Sequence, residues 1–482
     1  MNPRPPQILL LGIWLMSLSS LLAAPVAADF NTPTDVPVTA SSYTATGNTV
    51  DLRLNFPPAT GTTLTVVKNT GLAFINGIFD NLAQGQIVTL TYGGVPYKFV
   101  ANYYGGSGND LVLQWPAGRL LAWGSNLYGQ LNNGNTVDSN VPVPVSATGA
   151  LADKTVVTVV AGRLFNLALS SDGTVAAWGY NYNGQLGNGT TTLSNVPVAV
   201  NATGVLSGKL IVAVAAGGYH SLALCSDGTL AAWGKNTDGQ LGNGNTTDNS
   251  LPVAANATGV LAGKTIVAAS AGWSHTMALC SDGTLATWGN NTYGQLGNGG
   301  TTNSNVPVAV SVAGVLAGKT IVAISAGGSH NMVLCSDGTL VTWGYNTYGQ
   351  LGNGNTTNSN VPVAVSAAGV LAGRSVAAIS AGGSHNLVLC SDGTLATWGD
   401  NSTGQLGNGG TTVSNVPVAV NTAGVLAGRT IAAIAIGSGH SLAWCSDGTL
   451  TAWGVNLSGQ LGNGSTTNSN VGGGFFSVKV LE

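Results

Sequence analysis

Charge is what this chain has least of. Only 31 of its 482 residues are Asp, Glu, Lys or Arg, 6% against about 25% in an ordinary soluble domain. A net charge of −3 with 14 scattered Lys and Arg leaves no basic stripe to neutralise phosphates, which excludes nucleic acid as a partner. Histidine and cysteine are as sparse, five of each, and an odd number of cysteines does not make a closed disulfide framework. Beyond the N-terminus no uninterrupted apolar run approaches the ~18 residues of a spanning helix. The acids offer no paired-carboxylate signature for acid–base work. No Gly-rich phosphate loop opens a helix, because no helical pattern exists.

Glycine is plentiful, with 71 residues, and Asn, Thr and Ser fill the segments between apolar runs. Such a surface is solvated by amides and hydroxyls in place of ions. At the start, MNPRPPQILLLGIWLMSLSSLLAAPVAADF has one early cation (Arg4), an apolar stretch from Ile8 to Leu22, and the small residues Val26 and Ala28 before Asp29. That is the pattern of a secretory signal peptide over 1–28. The chain is expected to be secreted or held at the cell surface, extracellular or periplasmic, with no membrane span after cleavage.

A repeat organises the rest. Trp-Gly begins at Trp123, Trp178, Trp233, Trp288, Trp343, Trp398 and Trp453, always 55 residues apart. Gly-Gln-Leu begins at Gly129, Gly184, Gly239, Gly294, Gly349, Gly404 and Gly459 on the same step. All five histidines (His220, His275, His330, His385, His440) and all five cysteines (Cys225, Cys280, Cys335, Cys390, Cys445) fall on this grid. The first complete copy has Phe165 and Ser170 in their places. A catalytic or metal site is normally unique and gathers residues from several places. A pair that recurs once per unit, and gives way to Phe and Ser without a change of spacing, is part of the scaffold. His and Cys five apart on a strand also point to opposite faces, so one pair cannot chelate one ion. Equivalent cysteines of successive units should lie beyond the ~7 Å that a disulfide spans. Neither catalytic nor metal-ligating residues are assigned, and no cofactor is expected.

Within one unit, Thr320–Ala326 and His330–Cys335 are short apolar strands. Ser336-Asp337-Gly338 is a hairpin turn, Thr339–Trp343 returns, and Val361–Val365 carries Pro362 as an edge strand does. Four short strands that are apolar on both faces must be covered on both sides, so units stack against one another. A radial array of seven gives a propeller; an open stack would need polar end caps. Phe475–Leu481 is expected to close the ring by pairing with N-terminal strands. Asp110–Gly118, in register with His330–Gly338, is a possible earlier start of the array.

Segments such as AAGGYHSLALCSDGTLAAWGKNTDGQLGNG (Ala215 to Gly244) resemble the repeat of the regulator of chromosome condensation family, of a bacterial secreted type. The shared features are Gly-x-x-His, the Asp-Gly turn, Trp-Gly and Gly-Gln-Leu-Gly. The resemblance implies an all-β fold, a seven-bladed β-propeller over 118–482, following a small all-β module over 29–117. In that module Thr49–Leu54, Thr62–Val67, Gln86–Tyr92 and Tyr97–Tyr103 read as strands. Gly105–Val112 matches one calcium-binding nonapeptide, but a single copy lacks the neighbouring turns that complete such a site, and it reads as a Gly-rich turn.

Specificity must be written where the copies differ, which is in two places: between Trp-Gly and Gly-Gln-Leu, and in the pair before each His. Both lie at the open end of the hairpin around Ser-Asp-Gly, so both belong to one side of the disc. Tyr128, Tyr180, Tyr182, Tyr219, Tyr293, Tyr345 and Tyr348, together with Trp273, all fall there. Rigidly held aromatics amid Asn, Ser and Thr are what protein-binding surfaces use. The expectation is a non-catalytic, monomeric scaffold that binds a protein or cell-surface ligand through this face, as an adhesin, surface component or inhibitor. The alternatives are guanine-nucleotide exchange, implied by the family's eukaryotic namesake, and a hydrolase built on a propeller. Units of identical length leave no wedge for the first, and the second has no acid–base pair.

Overall fold

A computed structural model describes residues 24–58, 62–106, 108–115 and 120–477. Each 55-residue unit closes as one antiparallel sheet because its strands are joined by tight turns. In the unit of Trp343, Ile321–Ala326 pairs with His330–Cys335, that with Leu340–Gly344, and that with Ser359–Ala364. The Ser-Asp-Gly turn joins the second and third strands, with Gly338 at φ +84°, a left-handed conformation that glycine adopts without penalty. Pro362 sits in the fourth strand, at the sheet edge, where a missing N–H costs no ladder bond. The segment before each new unit makes one 3-10 turn, such as Gly369–Leu371, with Leu371 buried.

We number the units as blades 1 to 7 by their Trp-Gly. Blades 2 to 7 are four-stranded sheets, and blade 1 has two described strands, Leu121–Gly124 and Ser139–Pro144. First strands of successive blades lie side by side and therefore line the axis. The second strands are buried at every position in blades 3 to 6, since alternate residues face different neighbours. Val333 and Cys335 pack with Met277 and Leu279 of blade 4, while Met332 and Leu334 pack with Val388 and Cys390 of blade 6. The architecture is a seven-bladed β-propeller.

One hydrogen bond repeats around the whole wheel. The indole Nε1 of Trp178, Trp233, Trp288, Trp343, Trp398 and Trp453 donates to the carbonyl of Gln130, Gln185, Gln240, Gln295, Gln350 and Gln405 of the preceding blade, at 2.9–3.0 Å. Trp123 donates to Gln460 at 2.9 Å, and Asn140 exchanges hydrogen bonds with Gly464. The last blade is thus joined to the first by the link used everywhere else.

The expected closure by Phe475–Leu481 is corrected here. Phe476 pairs with Leu450 and Ser477 with Thr449 of the same blade; residues 478–481 lie outside the described residues. Blade 7 has Gly472 where the other fourth strands carry proline, so its strand keeps its N–H groups and runs on from Ser469 to Ser477. Asp110–Gln114 also departs from the grid. It lies between Leu64–Asn69 and Val95–Gly105 in a five-stranded sheet that includes Val38–Ala40 and Ile87–Tyr92. Phe30, Phe79, Phe99 and Tyr103 bury themselves in the core of this N-terminal region. Residues 1–23 of the expected leader lie outside the described residues. Val26–Ala28 begin a strand, Val26–Phe30, that runs parallel to Val50–Leu54, and Ala28 is buried.

The N-terminal region docks on the turn side of the wheel. Phe74 and Tyr104 pack against the apolar cluster between blades 3 and 4, and Phe74 also against that between blades 4 and 5. Gly85 lies against the Ser171 carbonyl of one Ser-Asp-Gly turn. No helix among the described residues is long and apolar enough to cross a membrane.

Candidate functional site

The recurring polar side chains are spent on the scaffold. His220, His275, His330 and His385 are fully buried. Each Nε2 meets a polar side chain of the next blade: Thr276 at 3.0 Å, Asn331 and Asn386 at 2.9 Å, and Ser441 at 3.0 Å. Those partners in turn donate to the Gln carbonyls that hold the tryptophans. Burial disfavours the imidazolium and pulls His220 and His385 down to about 3, His275 and His330 to about 4. The five thiols are buried and free, and burial pushes Cys225 and Cys280 up to about 11. Among the described residues, no group of three or more His, Cys, Asp or Glu is placed to hold a metal.

All but one of the acids among the described propeller residues, Asp153 being the exception, are committed too. On the turn side Asp172, Asp227, Asp282, Asp337, Asp392 and Asp447 each pair with the Lys or Arg 18 residues earlier. The Lys264 ammonium and the Thr284 N–H hold Asp282 down at about 2. Away from the turns, Asp138 and Asp248 accept the N–H of Asn126 and Asn236, Asp400 accepts from Gln405, and Asp238 from Asn290 and Asn303. None faces another carboxylate as a catalytic dyad would.

The eight aromatics singled out by sequence gather on the other side, in two groups. Tyr180 is the hub of the first, with ring centroids of Tyr128, Tyr182 and Tyr219 at 4.9, 4.8 and 5.7 Å. Burial among these neighbours holds its phenol above the usual range. Trp273 joins this group through Arg163, whose guanidinium lies 5.8 Å from the Tyr219 centroid and 5.9 Å from that of Trp273. Tyr345 is the hub of the second group, 4.6 Å from Tyr293 and 6.1 Å from Tyr348. Tyr182, at 60%, and Trp273, Tyr293 and Tyr348, at about 40%, remain open to solvent.

Trp273 is placed unlike the others. It shares its grid position with Arg163, Gly218, Gly328, Gly383 and Ser438. A Cβ built on Gly328 or Gly383 would come within 3.0 or 3.1 Å of its indole. The ring therefore crosses the axial opening, above blades 5 and 6, and the missing side chains there make its room. Sequence reading placed Trp273 on the face but missed its reach, and it passed over Arg163 and Lys235 as members of the site. The signal was available: they are the only two cations of the described propeller residues without a turn Asp 18 positions ahead.

The RCC1-like domain family matches residues 114–472, three quarters of the chain. This chain belongs to the RCC1-like domain family. It is 35% identical over 298 residues to the ultraviolet-B receptor UVR8 of Arabidopsis thaliana, covering 62% of this chain and 64% of the receptor. It is 33% identical over 352 residues to the human E3 ubiquitin-protein ligase HERC2, covering 73% of this chain and 7% of the ligase. The chain thus spans less than two thirds of either relative. Among solved structures, human WBSCR16 superposes with a TM-score of 0.64 at 24% identity, over 74% of this chain and 93% of that one. Yeast RCC1 (Prp20), solved bound to Kap60, does so with 0.62 at 22% identity, over 74% and 84%. These two likenesses concern the fold. As an RCC1-like propeller, the chain is built of the repeat that carries this match.

Proposed function

We propose that this RCC1-like propeller is an exported, non-catalytic scaffold that captures a protein partner on its aromatic face. The observation that carries the reading is the division of the wheel's two sides. The N-terminal region and the six ion pairs occupy the turn side, whereas every propeller tyrosine and Trp273 lie on the opposite side with nothing described above them. Held on short loops over a rigid sheet array, these rings lose little conformational freedom on binding, which suits them as anchors. The committed acids and the buried, neutral imidazoles support a non-enzymatic role. Export is inferred from the N-terminal composition.

The test is to produce the chain with its own N-terminus in a secreting host, recover it from the medium, and use it to capture partners from culture fluid or cell surface. The variant with Tyr180, Tyr219, Trp273 and Tyr345 all changed to Ser is expected to lose the partner while keeping its melting transition. A partner held equally well by that variant, or a chain retained in the cytoplasm, overturns the proposal.

A further inference from the structure

Eight Lys and Arg lie among the described propeller residues, and six of them are in the turn-side ion pairs. The other two, Arg163 and Lys235, come from different blades and different grid positions, yet both lie over the same ring. The Arg163 guanidinium is 5.8 Å and the Lys235 ammonium 6.0 Å from the Tyr219 centroid. Among the described residues neither takes part in an ion pair. Arg163 is exposed and Lys235 half-buried. The ring faces attract each cation, but the two cations repel one another, and no carboxylate among the described residues forms an ion pair with either. Every other cation among the described propeller residues has its own Asp.

Resting on the aromatic face proposed above, we propose that Arg163, Lys235, Tyr219 and Trp273 form the docking point for an acidic loop of the protein partner. Carboxylates of that loop bridge the two cations, and its apolar atoms settle on the Tyr219 and Trp273 rings. Charge complementarity commits the site to an acidic segment. A basic segment would add a third cation to the pair, and a neutral one would leave the repulsion in place. Trp273, fixed across the axial opening with Gly328 and Gly383 beneath it, sets where the loop enters. A carboxylate shared between a guanidinium and an ammonium gains charge-assisted hydrogen bonds that an amide of the same shape does not.

Random twelve-residue peptides displayed on phage, selected against the intact immobilised chain, provide the test. Selected peptides are expected to be enriched in Asp and Glu. The best of them, remade with Asn and Gln, should bind about tenfold or more weakly, since a hydrogen bond to a charged group contributes about 1.5–3 kcal/mol. In Arg163→Gln with Lys235→Gln, whose fold is checked by its melting transition, that preference should vanish, and Arg163→Lys should restore part of it. No acidic enrichment, or a preference that survives the double variant, overturns the inference. Peptides that depend on Tyr180, Tyr219, Trp273 and Tyr345 but not on charge sink only this docking chemistry. Peptides indifferent to those four rings sink the aromatic face itself.

Discussion

Replacing His385 by phenylalanine tests whether the buried imidazoles are neutral struts. The protein already contains the product of this change. Phe165 stands at the same grid position, and its neighbour in the next blade, Ser221, donates to the Gln185 carbonyl as Ser441 does to that of Gln405. His385 is buried and pulled down to about 3, against 6.5 for an exposed imidazole. Its folded value is lowered, so the unfolded chain takes up the proton first as pH falls. Its contribution is fully present above pH ~6.5 and is lost progressively below it, down to about 3. Between pH 6.5 and 5 that amounts to about 1.5 pH units, or ~2 kcal/mol. His220, His275, His330 and His440, lowered by the same burial, act in the same direction. Urea unfolding at pH 6.5, 6.0, 5.5 and 5.0 reads the slope directly. Wild type should lose stability as pH falls through this range, and the His385→Phe variant should lose it less steeply, by about one proton per molecule. Equal slopes in the two proteins would refute the claim that the imidazole is buried uncharged.

Two further expectations follow from the same packing. With all five thiols buried and free, an aromatic disulfide reagent at pH 8 should find none in the native chain and five in denaturant. A native thiol that reacts, or a denatured count below five, would contradict the assignment. Trp123→Phe removes the indole bond to Gln460 that joins blade 7 to blade 1, at a cost of about 1–2 kcal/mol. Hydrogen exchange should then speed up in Leu121–Gly124 and Ser469–Gly473 and stay unchanged in blades 3 to 5; a uniform change, or none, would count against closure by this link.

The blades were legible because their periodicity is redundant. Ile321–Ala326 and His330–Cys335 could be misjudged by a residue or two, but five further copies fix the same strands. The His and Cys positions were legible for the same reason, since Phe165 and Ser170 show what the fold tolerates there. Reading failed where only one copy exists. Asp110–Gln114 matches the grid in spacing, but its partners Leu64–Asn69 and Val95–Gly105 offer a longer ladder and a core of Phe30, Phe79 and Phe99, and local register yields to that. Asn132 and Asp153 are similar exceptions. They replace grid glycines and still take positive φ, 46° and 57°, because their short polar side chains tolerate the left-handed region. At the candidate site, the tyrosines were visible as a class of residue confined to variable segments. The stacking of Arg163 and Lys235 on one ring was not, because residues in neighbouring blades, over 70 positions apart, meet there only once the wheel is closed.

Closure also explains why the site's charge can be so local. The turn side repeats one Lys/Arg–Asp pair per blade in six blades, so its charges cancel within each unit and leave no field across the disc. Exposed pairs of this kind add little stability, about 0–1 kcal/mol each; their effect is to keep that side electrically even. On the opposite side amides and hydroxyls predominate, and the acids Asp138, Asp238, Asp248 and Asp400 each accept hydrogen bonds from neighbouring Asn or Gln. Against that background two unpaired cations over one tyrosine stand out to an approaching partner within about a Debye length, ~8 Å at physiological salt. A chain with an ordinary density of surface ions would blur such a signal. The scarcity of charge noted at the outset is therefore a condition for recognition by only two charged residues.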